Sequence, residues 1–278
     1  MSTFVIARLT FHEAARRRIL LAALLLGVLF LMVFGVGLSF IVEEINDSSG
    51  GPSVLQQNEI FGFLLMAGLY VVNFLTIMMT VLTSVDTLSG EITTGTVHTL
   101  MTKPVRRWEI VLGKWLGFAG MLGAYLLLMA GGVMLIVYGF TDYVAPNAIR
   151  GLSLMLINIL LLLSVSLLGG SILSTLANGV LVFGLYGVAF VGGWIEHIGS
   201  FVQNETALDI GIMASLLLPS EALWRRAVHE MQSPLVAALG VSPFSSSSVP
   251  SPFMVGYAIL YATIMLMLAM RAFSQRDL

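Results

Sequence analysis

Residues 19–42 read ILLAALLLGVLFLMVFGVGLSFIV, without one charged side chain. A helix needs roughly 20 mostly apolar residues to cross the hydrocarbon layer of a membrane, so this stretch is long enough to span it. Arg16, Arg17 and Arg18 precede it, as basic residues precede the apolar core of a signal peptide. The apolar run is too long for a signal peptide, and no small-residue cleavage site follows it. We therefore interpret it as an uncleaved first span.

The rest of the chain repeats this pattern. Of its 278 residues 58% are hydrophobic and only 10% are charged, with a mean hydropathy of +0.96. Soluble domains have about 25% charged residues, so the chain lacks the polar surface of a soluble protein. The sequence predicts an all-α polytopic membrane protein with one transmembrane permease domain over residues 1–278. Five further spans are predicted at residues 60–85, 110–138, 152–173, 176–195 and 253–270.

Composition excludes several classes of protein. The net charge of −2 leaves no basic field for nucleic acid. The absence of cysteine excludes disulfides and thiolate metal sites. Neither of the two lysines, Lys103 and Lys114, stands in a phosphate-binding loop of the Gly-x-x-x-x-Gly-Lys-Ser/Thr type, so we expect no ATPase site in this chain. The four histidines lie in separate segments, and we predict neither a catalytic residue nor a metal site.

Charge placement predicts the orientation of the chain, because short cytoplasmic loops retain Lys and Arg. Ten of the thirteen basic residues lie in the N-terminal arm, between the second and third spans, or in the C-terminal tail. Ten of the fifteen acidic residues lie on the other predicted side. Both termini are therefore predicted to be cytoplasmic, which requires an even number of spans and agrees with six.

Three segments outside the spans differ from plain connectors. Residues 4–18 predict an amphipathic elbow helix in the membrane interface. Residues 86–107 form a polar cytoplasmic stretch, predicted as a short helix at 86–95 followed by a turn at Lys103-Pro104. Residues 197–251 form a long external segment, with an apolar helix at 206–218, a polar helix at 220–231 and a Ser/Pro-rich linker at its end.

Two stripes within the spans have the spacing of a helix face. Asn73, Thr76, Thr80 and Thr83 give the second span a polar face, which predicts either part of a translocation pathway or hydrogen bonding between helices. Gly113, Gly117 and Gly120 give the third span a small-residue face suited to close helix packing. Ion-coupled carriers hold an ionisable residue deep in the bilayer. We expect no deep ionisable side chain in the spans, and this weighs against such a carrier.

The stretches SGEITTGTV at 89–97, LMTKPVRRWE at 100–109 and LGK at 112–114 resemble the signature that follows the second span of ABC-2-type permeases. The closing residues QRDL at 275–278 resemble the R-D-L tail common in that family. Within the family the chain is most similar to the permeases named for multicopper enzyme maturation, which include the permease of the nitrous oxide reductase assembly exporter. The resemblance implies the ABC-2, or type V exporter-like, permease fold with both termini inside.

The resemblance also implies partners and a coupling site. Two six-helix permeases, identical or homologous, would pair in a prokaryotic cell (inner) membrane, and two separate ATPase subunits would bind ATP and Mg below them. Residues 86–103 would be the coupling helix that receives their movement, and the connector at 169–179 would be a second, smaller cytoplasmic contact. The coupling residues that the resemblance implies are Asp86, Glu91, Gly95, Thr96, Lys103, Pro104, Arg106 and Arg107.

Two functions follow from this resemblance. The first is the membrane subunit of an ATP-driven exporter that moves a lipid, amphipathic molecule, peptide or assembly factor outward. The second is a mechanotransmission or scaffold subunit, which uses the same ATPase to act on an extracytoplasmic protein bound at 197–251 without moving a substrate. A large external partner and no continuous cavity between paired permeases would favour the second.

Overall fold

The protein was analysed as a computed structural model, which describes residues 2–16, 18–47, 53–93, 106–233 and 249–276. These residues form nine helices and no strand. The helices are α1 (Ser2–Arg16), α2 (Arg18–Asp47), α3 (Val54–Thr93), α4 (Arg107–Thr141), α5 (Ala148–Ile172), α6 (Thr175–Val202), α7 (Glu205–Leu217), α8 (Ser220–Met231) and α9 (Pro252–Gln275).

Six helices in the described part of the chain are long and apolar enough to cross a membrane, namely α2 to α6 and α9. The predicted count of six spans is confirmed, although every helix except α5 extends beyond its predicted span at both ends. A helix satisfies all its backbone hydrogen bonds internally, so apolar sequence of this length forms helices in lipid. The separate short helix predicted at 86–95 is wrong, because α3 continues without a break to Thr93.

Burial shows how the spans are arranged. In its most apolar 18-residue stretch α5 has 67% of its residues buried, whereas α2 has 6% and α9 has 11%. Helix α5 therefore occupies the centre of the bundle, in contact with α3, α4, α6, α8 and α9. Helices α2 and α9 present most of their apolar surface outward, as expected for helices that face lipid or another subunit.

Two ends of the bundle can be distinguished. The end of α9 contacts the start of α4 and the end of α5, and α1 packs along the first turns of α4. We call this the terminal end, because the described parts of both chain termini lie there. The opposite end has the turn from α6 into α7, and we call it the hairpin end.

The turn at the hairpin end has a local cause. Gln203 has a φ of 55°, the left-handed conformation that commonly ends a helix, and its N–H donates to Gly199 O. Asn204 then caps α7, accepting from the N–H of Ala207 at 3.1 Å. This reversal lays α7 back along α6. Helix α8 follows at an angle of 103° to α7, so the pair forms a re-entrant bend.

Helix α8 is enclosed by the bundle. Its side chains are buried at nine of twelve positions. Trp224 stacks against Tyr70 of α3 with ring centroids 5.5 Å apart, and Met231 contacts Gly151 of α5. The two helices predicted for the external segment are confirmed, at 205–217 and 220–231. They are packed on the spans, and the predicted Ser/Pro-rich linker falls largely on residues 234–248, outside the described part of the chain.

The expectation that no ionisable side chain lies deep in the bilayer stays a prediction, but two ionisable side chains toward the ends of spans are buried by other helices. Lys114 in α4 and Glu196 in α6 are only 4% and 3% exposed. Glu196 accepts a hydrogen bond of 2.7 Å from Arg225 of α8, which is itself 8% exposed. The sequence shows how far these residues lie from the ends of the spans. It does not show which helices pack around their side chains, and this packing determines their burial. The opposite charge of Arg225 offsets the cost of burying Glu196.

Candidate functional site

The polar stripe of α3 is buried inside the subunit. Asn73, Thr76, Thr80 and Thr83 have exposures of 6%, 1%, 0% and 0%. The three threonine hydroxyls each donate to a carbonyl four residues earlier in α3, at 2.7 Å. Threonine in a membrane helix commonly satisfies its hydroxyl in this way. A pathway along this stripe stays a prediction, because these side chains are buried among the helices that the structure describes.

Toward the terminal end of the bundle, the polar side chains of α3 form hydrogen bonds to other helices. The Oγ atoms of Ser84 and Ser166 of α5 are 2.7 Å apart. One turn further on, Ser89 and Thr175 of α6 have hydroxyl oxygens 2.8 Å apart. The Thr175 hydroxyl also donates to Asp86 Oδ1 at 3.2 Å. The end of α3 is therefore hydrogen-bonded to the first residue of α6.

Asn178 lies one turn into α6 and is fully buried. Its Nδ2 donates to Val85 O of α3 at 3.1 Å and to Ser166 O of α5 at 3.0 Å. One carboxamide thus joins three helices. The carboxamide fits because glycine stands opposite it in α5: a Cβ at Gly169 would collide with Asn178 Oδ1. We call Ser84, Asp86, Ser89, Ser166, Thr175 and Asn178 the inner junction.

A second set of contacts connects the C-terminal tail to the bundle. Arg107, at the start of α4, donates from Nη1 to Ser274 O at 3.2 Å and to Arg276 O at 2.6 Å. Arg276 in turn donates from Nη1 to Ser171 O, near the end of α5, at 2.8 Å. The last carbonyls of a helix lack partners within the helix, and a cation placed there satisfies them and complements the helix dipole. The two arginines therefore fasten the ends of α5 and α9 to the start of α4.

The structure places the predicted coupling residues in different surroundings. Asp86 belongs to the inner junction, and Arg107 binds the tail. Arg106 is exposed, and its N–H donates to Glu109 Oε2 at 3.2 Å. Glu91 falls within α3. Gly95, Thr96, Lys103 and Pro104 lie outside the described residues.

The small-residue stripe of α4 contacts the elbow helix. A Cβ at Gly113 would lie 2.7 Å from Ile6 side-chain atoms, and one at Gly117 would lie 2.7 Å from the carbonyl of Ala7. At Gly120 the nearest atom, in Phe11, would be 3.7 Å away, an ordinary contact. Glycine at the first two positions thus permits the close approach of α1 to α4.

Two buried polar residues, Asn178 and Arg225, were not predicted from the sequence. Asn178 is the third residue of the predicted span 176–195, and a polar amide in an apolar span is a usable signal. Arg225 is one of three basic residues on the predicted acidic side, which is a weaker signal. Among the described residues no group of three or more His, Asp or Glu side chains is arranged to hold a metal ion.

The six spans, the re-entrant pair and the buried polar contacts between helices define a multi-pass membrane protein. The chain belongs to the ABC-2 family transporter proteins, whose family model matches residues 4–278. No curated protein matches it. Membership makes the chain a membrane permease of an ABC transporter, a subunit that is typically not catalytic itself. It also implies, in general, an ATPase partner and a dimeric arrangement.

Proposed function

We propose that this chain is the membrane-spanning permease subunit of an ATP-driven exporter. Separate ATPase subunits bind ATP and Mg, and residues 86–107 receive their movement at the terminal end, which we place in the cytoplasm. Two copies, or one copy and a homologous permease, form the transport unit in a prokaryotic cell (inner) membrane. By its motif we place the chain near the multicopper-enzyme-maturation permeases.

The inner junction is the observation that supports this proposal most strongly. A coupling segment must be connected to the spans that move, and here the end of α3 is hydrogen-bonded to the start of α6 through Thr175 and Asn178. The connector between α5 and α6 is the proposed second cytoplasmic contact. It lies directly beside the start of the coupling segment, which is the first. Movement at either contact therefore reaches α3 and α6 together.

The hairpin end favours export over action on an external protein. Helix α8 is buried in the bundle and offers little surface to a partner. The exposed side chains of α7 are mostly apolar, with Met213 at 69% and Leu216 and Leu217 at 49%. Such a surface suits lipid or a second permease better than a water-soluble partner. The mechanotransmission alternative therefore depends on residues outside α7 and α8.

The test of the proposal begins with purification of the tagged chain from native membranes and identification of the chains bound to it. The complex is then placed in lipid nanodiscs and its ATP hydrolysis is measured. Substituting Glu91→Ala or Gly95→Val should abolish the hydrolysis that is coupled to transport, because both positions match the family motif in the coupling segment. Membrane insertion should remain normal.

Glu43→Ala is the matched control, because Glu43 is an exposed glutamate near the end of α2, at the hairpin end of the bundle and far from the coupling segment. It should leave hydrolysis unchanged. Normal coupling in the Glu91 and Gly95 variants would refute the coupling role of this segment. An external protein without any ATPase in the purified complex would instead support the alternative function.

A further inference from the structure

We infer that Asn178 is the positioning residue that transmits movement of the coupling segment into α6. This inference rests on the proposed function and names the part that performs it. Val85, whose carbonyl accepts from Asn178, is the residue immediately before the proposed coupling segment. The hydrogen bond therefore connects the backbone of α3, at the point where movement would enter, to a side chain of α6.

Burial distinguishes Asn178 from Thr175, the other α6 residue of the inner junction. Thr175 is partly exposed and its bond to Asp86 is accessible to water, so water can replace either partner when the helices separate. Asn178 is fully buried and water has no access to its two bonds. Breaking them would leave a buried donor without a partner, so α6 must follow α3 for these bonds to persist.

The orientation of the carboxamide is determined by its partners. Both neighbouring groups, Val85 O and Ser166 O, are acceptors, so the NH₂ group must face them and Oδ1 must point away. Oδ1 has no hydrogen-bond partner and lies against Gly169. A displaced arrangement that offered this oxygen a donor would gain a hydrogen bond. The unpaired oxygen thus leaves one hydrogen-bonding position that a second arrangement of the helices can use.

Asn178 also lies in a position from which α6 can be moved as a unit. Thr175 and Asn178 are three residues apart and therefore share one face of the helix. Gly184 and Gly187 lie further along α6, and a Cβ at either would meet no atom within 4 Å. One side of the middle of α6 is thus open, whereas Val182, Tyr186 and Ala189 on another side are buried and the first turn is hydrogen-bonded to α3 and α5.

The test uses the complex of the chain with its copurifying ATPase in nanodiscs. The chain contains no cysteine, so single cysteines can be introduced for spin labels without removing any residue of that type. One label is placed on α3 at Leu82 and one, in a separate preparation, on α6 at Val188; these side chains are 51% and 50% exposed. Pulsed EPR measures the distance between the two protomers without nucleotide and after trapping with ADP and vanadate.

In the unaltered chain both labels should shift on trapping. In Asn178→Ala the α3 label should still shift, whereas most of the shift at the α6 label should be lost. Asn178→Leu fills nearly the same volume without hydrogen bonds, so it should behave like the alanine variant. It shows whether the effect of Asn178→Ala arises from a cavity that disturbs folding. Asn158→Ala is the matched control, because Asn158 is also buried and has no side-chain hydrogen bond in α5. It should retain both shifts.

The outcomes separate this inference from the proposed function. An α6 shift of normal size in both Asn178 variants would overturn the inference and leave the proposed function intact. Loss of both shifts in these variants would also overturn it, because Asn178 would then serve the general structure. If the unaltered chain binds no ATPase, or its α3 label does not move, the proposed function fails and this inference fails with it.

Discussion

The two ends of α6 are held by different chemistry. At the terminal end hydrogen bonds of the uncharged side chains of Thr175 and Asn178 connect it to α3 and α5. At the hairpin end the buried ion pair of Glu196 with Arg225 connects it to α8, and close glycine contacts connect it to α7. Losing a neutral hydrogen bond costs less than leaving a buried charge without its partner. We infer that the terminal end can adjust while the hairpin end keeps its geometry.

The largest expected effect comes from breaking the ion pair. Arg225→Met leaves Glu196 buried without its cation and should destabilise the fold by about 3–5 kcal/mol. The measurement is the melting temperature in detergent, followed by size-exclusion chromatography with fluorescence detection. We expect a severe loss of folded protein.

The neighbouring residue supplies the control for that prediction. Arg226 pairs with Glu230 at 2.8 Å, with side chains 20% and 16% exposed. Arg226→Met removes the same charge from the next position and should cost about 0–1 kcal/mol, as for a pair near the surface. Equal effects of the two substitutions would show that the buried pair does not hold the hairpin end.

The glycine contacts of the hairpin end come next in magnitude. In Gly211→Ala the new Cβ would meet Glu196 Cβ and would lie 2.8 Å from Gly192 O. A backbone atom cannot move aside as a flexible side chain can, so we expect α7 to be displaced at a cost of about 1–3 kcal/mol. Gly187→Ala on α6 is the control, since its Cβ would meet nothing. A melting temperature for Gly211→Ala as high as that of the control would contradict close packing of α7 on α6.

The smallest effect is expected at the terminal end. Thr175→Val removes the hydroxyl that contacts Asp86 and Ser89, and it should cost about 1 kcal/mol or less, because such bonds are weak and here partly solvated. The same thermal measurement checks this value. A loss as large as that of Arg225→Met would show that the two ends are equally rigid and would remove the distinction between them.

The sequence was sufficient to predict the spans and the two helices of the re-entrant pair, because the length of an apolar stretch and the local residue pattern determine them. It did not show which spans are central. Helices α2 and α5 have similar mean hydropathies of 3.0 and 2.4 in their most apolar stretches, yet they differ completely in burial. In lipid both a central and a peripheral helix need an apolar surface, so hydropathy alone cannot distinguish them.

The candidate site was predictable only in part. The motif drew attention to Asp86, and Asp86 lies in the inner junction. Its partner Thr175, and Asn178 which binds the neighbouring Val85, are distant in sequence and have no periodicity that relates them to α3. Residues 86–95 were predicted as helical but as a separate helix, because the change from apolar to polar composition marks the edge of the membrane and not the end of α3.

The packing of α1 on Gly113 and Gly117 has a consequence for how the protein is made. Helix α1 leaves the ribosome before α4, and the groove that receives it exists only after α4 has been synthesised and inserted. During that interval α1 must lie elsewhere, and a helix with Arg8 and Arg16 on one face and Phe4 and Phe11 on another is suited to the surface of the bilayer. The amphipathic character of α1 thus serves the nascent chain, and its seat on α4 serves the finished protein.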